Sequence, residues 1–184
     1  MADQGTEGLL SPFLRRQRFR AAMPFLKGRV LDVGCGTGAL AFHLQPDSYF
    51  GIEIDDSILE QAKNQHPGYK FGKDFSEVEG TFDTIVSLAV IEHLSDPVAF
   101  LSQLKELLSN DSSSRIVITT PHPSIDWVHD RGAVIGLFSK HANEEHEELL
   151  DRSRLSGIGS EAGLQLQEYR RFLLSANQIA VYKK

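Results

Sequence analysis

The chain has 184 residues, of which 41% are hydrophobic and 24% charged, a balance typical of one globular domain rather than of a disordered chain. Its formal charge of −6 at pH 7 argues against nucleic acid as the main partner, because tight phosphate binding requires clustered positive charge. The single cysteine, Cys35, excludes an intramolecular disulfide and favours a cytoplasmic location, and no apolar run approaches the roughly 20 residues of a transmembrane helix.

The N-terminal part predicts a frayed tail followed by a helix. We expect residues 1–10 to fray and Ser11-Pro12 to begin a helix, because serine is a favoured N-cap and proline suits the first turn. Apolar residues alternate with arginines over residues 13–26, which predicts an amphipathic helix with a basic face that Pro24 kinks or ends. The arginines either meet an anionic substrate or form a solvated face.

From Arg29 onward, predicted strands alternate with predicted helices, which indicates a parallel sheet with right-handed crossovers. The predicted strands cover residues 30–33, 49–54, 69–72, 82–88 and 115–120, and the predicted helices cover residues 38–44, 57–65 and 96–108. A further helix over residues 144–162, capped by Gly163, precedes a closing hairpin of strands 164–169 and 178–182. We expect one domain over residues 1–184, with residues 1–28 as tail and helix and residues 122–143 as a substrate-covering insert.

The first predicted strand runs directly into three glycines, Gly34, Gly36 and Gly38. Glycine permits positive φ and lets a ligand approach the backbone, and ligands of doubly wound sheets bind at the carboxyl ends of the strands. The spacing also fits the Gly-x-Gly-x-x-Gly/Ala pattern of dinucleotide binders through Ala39. No Gly-Lys-Ser/Thr follows, which excludes a Walker loop.

An acidic residue, Glu53, stands at the end of the second predicted strand, 19 positions after Gly34. A carboxylate at this point can accept both ribose hydroxyls of an adenosine. The two features together predict a nucleoside-containing ligand.

Two longer sequence motifs distinguish between the families of nucleoside-binding proteins. The run Asp32 to Gly38 (D-V-G-C-G-T-G) resembles motif I of the class I S-adenosylmethionine-dependent methyltransferases. The run Phe82 to Leu94, which begins Phe-Asp and ends Glu-His-Leu, resembles the fourth-strand signature of the type 11 and quinone-biosynthesis methyltransferases. The resemblance implies an α/β, Rossmann-like, seven-stranded and mainly parallel sheet with an antiparallel last strand and helices on both faces.

The resemblance also implies where S-adenosylmethionine binds. The glycines would contact its methionine part, Glu53 its ribose, Ile54 the adenine face, and Asp74 the adenine amine, while Asp32 would order the loop. The residues assigned to the cofactor site are Asp32, Gly34, Cys35, Gly36, Gly38, Glu53, Ile54, Asp74, Phe75, Leu88 and Ala89.

Glu92 and His93 allow three interpretations. They order the loop beside the cofactor, or His93 is a catalytic general base, since its ordinary pKa suits proton transfer near neutrality. The third interpretation is metal binding. Small-RNA 2′-O-methyltransferases carry a further glutamate three positions earlier, where this chain has Ala89. We therefore expect no metal.

The segment after the fifth strand is expected to wall the acceptor pocket, with His122, Trp127 and His129 as substrate-binding residues. The expected reaction is in-line transfer of the methyl group to a small-molecule or lipid-linked acceptor. Two alternatives remain, a regulatory module that binds S-adenosylmethionine without catalysis and an NAD(P)-dependent oxidoreductase.

Overall fold

The computed structural model describes residues 11–123 and 150–184, and its strands in these ranges form one seven-stranded sheet. The sheet has the order β3-β2-β1-β4-β5-β7-β6. β7 runs antiparallel to both its neighbours, and the other pairs are parallel. The predicted sheet with an antiparallel last strand is confirmed. The strands are β1 Val30–Val33, β2 Tyr49–Ile52, β3 Lys70–Gly72, β4 Thr84–Leu88, β5 Arg115–Pro121, β6 Gln165–Phe172 and β7 Asn177–Lys183.

Helices cover both faces of the sheet, as predicted. Side chains of the first two pack in one apolar cluster, and side chains of the last two pack in the cluster on the opposite face. The helices are α1 Ser11–Ala22, α2 Asp56–Gln65, α3 Pro97–Leu107 and α4 Arg152–Glu161.

Aspartates begin three of these helices. Asp55, Asp96 and Asp151 each accept a hydrogen bond from the backbone N–H three residues later, at 3.0, 2.8 and 2.8 Å. Such caps satisfy a free N–H group of the first turn. α2 therefore starts shortly after Glu53 in the chain, and α3 starts shortly after the Glu92-His93 pair.

The predicted helix over residues 38–44 is wrong. The backbone there makes i+3 hydrogen bonds and forms only a 3-10 turn over Ala41–His43. Gly38 has a φ of 78°, and a second 3-10 turn begins already at Pro46, so the segment lacks the length for a regular α-helix. β1 and β2 are therefore joined by a compact loop.

Several boundaries also differ from the prediction. α1 ends before Pro24, as expected, and a 3-10 turn over Met23–Phe25 follows. β2 ends at Ile52 rather than at residue 54, and α4 begins at Arg152, with Asp151 as its N-cap. The predictions for residues 1–10, for most of the insert over 122–143 and for the first part of the predicted helix, residues 144–149, fall outside the described residues.

The central strands are buried on both faces, which is typical of a parallel sheet between helices. Every residue of β1 is buried. In residues 11–123 and 150–184, no helix is long and apolar enough to cross a membrane.

Candidate functional site

The loop after β1 places its three glycines in different surroundings. Gly34, Gly36 and Gly38 all have positive φ, at 76°, 57° and 78°. A Cβ at Gly34 would lie 2.5 Å from Val90 Cγ2, and a Cβ at Gly38 would lie 2.8 Å from Phe71 Cζ. A Cβ at Gly36 meets nothing within 4 Å. Packing therefore requires the outer two glycines, whereas Gly36 borders open space at the carboxyl edge of the sheet.

Glu53 connects the glycine loop to the segment after β2. Its Oε2 accepts a hydrogen bond from the Gly36 N–H at 2.9 Å, and its Oε1 accepts one from the Asp55 N–H at 3.0 Å. The side chain is only 6% exposed. Because a carboxylate offers about four acceptor positions, Glu53 keeps capacity for ligand hydroxyls. The sequence indicated an acceptor here but not this second role in the loop.

Asp32 lies buried beneath the same loop. Its Oδ2 accepts a hydrogen bond from the Tyr49 hydroxyl at 2.9 Å. Burial raises the pKa of Asp32 to about 7, the Tyr49 hydrogen bond opposes this rise, and the negative Glu53 adds to it. The sequence reasoning missed Tyr49. The available signal was the Tyr-x-Gly spacing that puts Tyr49 and Gly51 on one face of β2.

Cys35 is buried between the carboxylates of this region. Burial raises the pKa of its thiol, and the negative charges of Asp32 and Glu53 raise it further. The S–H group donates to the Gly36 carbonyl, with the two heavy atoms 3.6 Å apart. A thiol in these surroundings stays protonated, which opposes a role as nucleophile.

The residues after β2 and β3 include the predicted adenine contacts. Ile54 is 74% exposed and presents an apolar surface next to Glu53. Asp74 is exposed, and its Oδ1 accepts hydrogen bonds from the Ser76 N–H at 2.7 Å and from the Ser76 hydroxyl at 2.6 Å, which lower the pKa of Asp74. Phe75 is half-buried and packs against the core. Asp74 thus has a local capping role as well.

The end of β4 brings a strained residue next to the glycine loop. Ala89 has a φ of 62°, an unusual value for a residue with a Cβ. Its N–H donates to the Thr119 carbonyl of β5 at 2.8 Å. Leu88 is half-buried just before it, and Val90 contacts the glycine loop at Gly34. The geometry places Leu88 and Ala89 at the carboxyl edge, beside the strand that leads to Gly34.

Glu92 and His93 lie in a 3-10 turn over Ile91–His93 and have different surroundings. His93 is exposed, and Glu92 is half-buried. Burial raises the pKa of Glu92, while a backbone hydrogen bond, the nearby His93 and Arg18, and a hydrogen bond with Thr120 lower it. The Glu92 Oε2 is buried and has no hydrogen-bond partner among the described residues.

Arg18 of α1 extends this polar region to β7. Its Nε donates to the Asn177 Oδ1 at 3.1 Å. The sequence left open whether the arginines of α1 face a substrate or solvent, and Arg18 is instead half-buried and paired.

Within residues 11–123 and 150–184, no group of three or more His, Cys, Asp and Glu side chains is placed to hold a metal ion.

Of the predicted acceptor residues, only His122 is described. It is buried, and its backbone N–H donates to the Ala176 carbonyl at 3.0 Å. Burial and the positive Arg171 lower the pKa of His122, and Asp151 raises it. Trp127 and His129 lie outside the described residues, so the acceptor wall stays a prediction.

A family model for a methyltransferase domain matches residues 7–169 of this chain. The ubiquinone biosynthesis O-methyltransferase of Mesorhizobium japonicum is 30% identical over 102 residues, which are 48% of this chain and 40% of that protein. The ribosomal RNA small subunit methyltransferase C of Haemophilus influenzae is 30% identical over 140 residues, which are 67% of this chain and 40% of that protein. The matched parts thus span about 40% of the length of these relatives.

Solved structures share the fold. The magnesium protoporphyrin IX methyltransferase of Synechocystis PCC 6803, solved with bound SAH, superposes with a TM-score of 0.68 at 17% identity, covering 98% of this chain and 89% of that one. An S-adenosylmethionine-dependent methyltransferase of Clostridium acetobutylicum superposes with a TM-score of 0.66 at 10% identity, covering 95% of this chain and 96% of that one. At these identities the likeness concerns the fold.

Proposed function

The chain belongs to the methyltransferase domain family that uses S-adenosylmethionine, and from this premise we propose that it transfers the methyl group to a small-molecule or lipid-linked acceptor. The observation that carries the proposal is the open space at Gly36, bordered by Glu53 and followed by the exposed Ile54. An adenosine with an attached amino acid needs hydroxyl acceptors, an apolar face and close approach to the backbone. These residues offer all three.

In this arrangement each part of the cofactor has a partner in the chain. The Glu53 carboxylate would accept the ribose hydroxyls, and Ile54 would lie along the adenine ring. The space at Gly36 would receive the methionine part, with the carboxyl group of Asp32 beneath it. Leu88 and Ala89 would border this part from β4, and Asp74 and Phe75 would border the adenine.

The sulfonium supplies an already activated methyl group, so the chain mainly has to align the acceptor and exclude water. An acceptor approaching past the end of β4 would meet Glu92. In this proposal Glu92 would accept a proton from a hydroxyl or amine of the acceptor, which is supported by its buried Oε2 having no hydrogen-bond partner among the described residues. His93 is exposed one residue further and is the second candidate for this role.

The preference for a small acceptor rests on the net charge of −6. The relatives include proteins named for ubiquinone biosynthesis and for ribosomal RNA, so both acceptor classes belong in the test. Purified chain is incubated with methyl-tritiated S-adenosylmethionine and either a panel of phenols, catechols and prenylated phenols or ribosomal RNA. Label in a small molecule supports the proposal, and label in RNA alone overturns the acceptor class.

Cofactor binding separates the alternatives that the sequence left open. Titration calorimetry with S-adenosylmethionine and S-adenosylhomocysteine is compared with NAD and NADP under the same conditions. Binding of NAD or NADP without binding of either S-adenosyl compound would contradict the proposal. Binding of both S-adenosyl compounds without methyl transfer across the whole panel would favour a regulatory module instead.

A further inference from the structure

A buried tyrosine and a buried aspartate meet directly behind the glycine loop. The Tyr49 hydroxyl lies 2.9 Å from Asp32 Oδ2, and the two residues are only 2% and 3% exposed. Asp32 is the register partner of Gly51 on β2, and Tyr49 lies two residues before Gly51 on the same face of that strand. The hydrogen bond therefore crosses diagonally between neighbouring strands.

Gly51 makes this contact possible. A Cβ at Gly51 would lie 2.9 Å from the Tyr49 hydroxyl oxygen and 2.8 Å from Cys35 Sγ. Any side chain there would overlap the Tyr49 hydroxyl, Cys35 and Phe71, so at least one of these groups would have to move. The Tyr49 ring is held from behind by Tyr69 and Phe71, whose ring centroids lie 5.8 and 5.7 Å away, both edge-on. The hydroxyl is thus held in one place by packing.

The surroundings of Asp32 make its protonation state depend on the hydrogen bond from the Tyr49 hydroxyl. Burial opposes the carboxylate form, and the negative Glu53 at the end of β2 opposes it as well. Cys35 in the loop stays a neutral thiol, since burial raises its pKa. On the β4 side, the register partner of Asp32 is Val86, whose side chain carries no charge. Burial likewise raises the pKa of Tyr49, which therefore remains a donor.

We propose that Tyr49 is a positioning residue of the methyl-donor site, whose hydroxyl favours the carboxylate form of Asp32 and orients it beneath the glycine loop for the ammonium group of the cofactor. This inference rests on the proposed function, because it requires an S-adenosyl compound at Gly36. The ammonium group favours the carboxylate over the carboxylic acid. Below the pKa of Asp32, binding therefore releases a proton from Asp32 to water, and affinity falls with falling pH.

The test is the pH dependence of S-adenosylhomocysteine binding, measured by titration calorimetry between pH 6.0 and 8.5. The variant is Tyr49→Phe, which removes only the hydroxyl. Tyr69→Phe is the matched control, because the Tyr69 hydroxyl donates to the Leu44 carbonyl at 2.9 Å and not to Asp32. Wild type is expected to bind weakly at pH 6.0 and to reach constant affinity above the pKa of Asp32.

The loss of one hydrogen bond to a charged group raises the pKa of Asp32 by about one unit, so Tyr49→Phe binds about fivefold more weakly at pH 7 and approaches a tenfold loss at pH 6. The difference shrinks toward pH 8.5, and Tyr69→Phe follows wild type. A merely structural role would weaken binding equally at all pH values. That result, or a profile of Tyr49→Phe that superimposes on wild type, overturns the proposal.

A second measurement covers the case in which Tyr49→Phe does not fold, as judged by circular dichroism. Wild-type binding enthalpies at pH 6.5 are compared in phosphate and in imidazole buffer, which differ in ionisation enthalpy. Proton release by wild type that is absent in Asp32→Asn supports the inference, and equal release in both chains overturns it. A wild type that binds neither S-adenosyl compound at any pH overturns the proposed function itself, and this inference with it.

Discussion

The backbone N–H of Gly36 donates to Glu53 Oε2 at 2.9 Å, so the carboxylate expected to bind the ribose also closes the glycine loop. The two residues are 17 positions apart in the chain and belong to neighbouring strand ends. Their contact means that the loop and the acidic residue act as one unit. A change in either residue is expected to affect both the shape of the loop and the contacts to the ligand.

Glu53→Ala is expected to weaken S-adenosylmethionine binding strongly. It removes the acceptor for the ribose hydroxyls and releases the N–H groups of Gly36 and Asp55. Hydrogen bonds to a charged group contribute roughly 1.5 to 3 kcal/mol each, and the contributions are not additive. Titration calorimetry measures the loss. Asp56→Ala, which alters an exposed ion pair with Lys73, is the control, and equal affinity of Glu53→Ala and wild type would remove Glu53 from the site.

Gly36→Val and Gly38→Val are expected to separate binding from stability. Both place a branched residue at positive φ, which costs roughly 1–2 kcal/mol. At Gly36 the new side chain enters open space, so cofactor binding is lost while the fold survives. At Gly38 it also overlaps Phe71 and His66, so the melting temperature falls further. Normal cofactor affinity in Gly36→Val would refute the assignment of the loop.

Asp32→Asn is expected to stabilise the chain without cofactor at pH 8. The folded state keeps a proton on Asp32 up to about pH 7, whereas the unfolded chain loses it near 3.8. The free energy of unfolding contributed by this group therefore falls as pH rises through that interval, by at most about 4 kcal/mol. Urea unfolding at pH 4 and pH 8 measures the effect. The two chains should differ little at pH 4, and an equal difference at both pH values would contradict the expectation.

Trp127→Ala tests the acceptor wall predicted from the sequence. If Trp127 contacts the acceptor, the variant loses methyl transfer while S-adenosylmethionine affinity stays near that of wild type. If Trp127 is a core residue, the variant instead unfolds more readily, by about 3–5 kcal/mol for a large aromatic side chain. Cofactor affinity and melting temperature are measured on the same preparation. A parallel loss of cofactor affinity would count against the wall.

The alternation of strands and helices and the position of the glycine loop were predictable from short-range patterns, namely apolar runs, capping aspartates and glycines that directly follow a strand. The seven-stranded sheet with its antiparallel last strand was predictable only through the resemblance to the methyltransferase family. The predicted helix over residues 38–44 failed for a local reason as well. Its apolar residues fit a helix, but the short connection to Tyr49 left no space for one.

The sequence by itself indicated that the three glycines follow the first strand and that Glu53 lies near the end of the second, and so placed Asp32, Glu53 and the glycines at one edge of a sheet. Only the tertiary structure decided which of them touch. Tyr49 reaches Asp32 and Gly36 reaches Glu53 because β1 and β2 pair in one particular register, and Arg18 reaches Asn177 across 159 positions because α1 packs on β7. Such contacts depend on strand register and helix placement, which the cooperative packing of the whole core sets and a local pattern leaves undetermined.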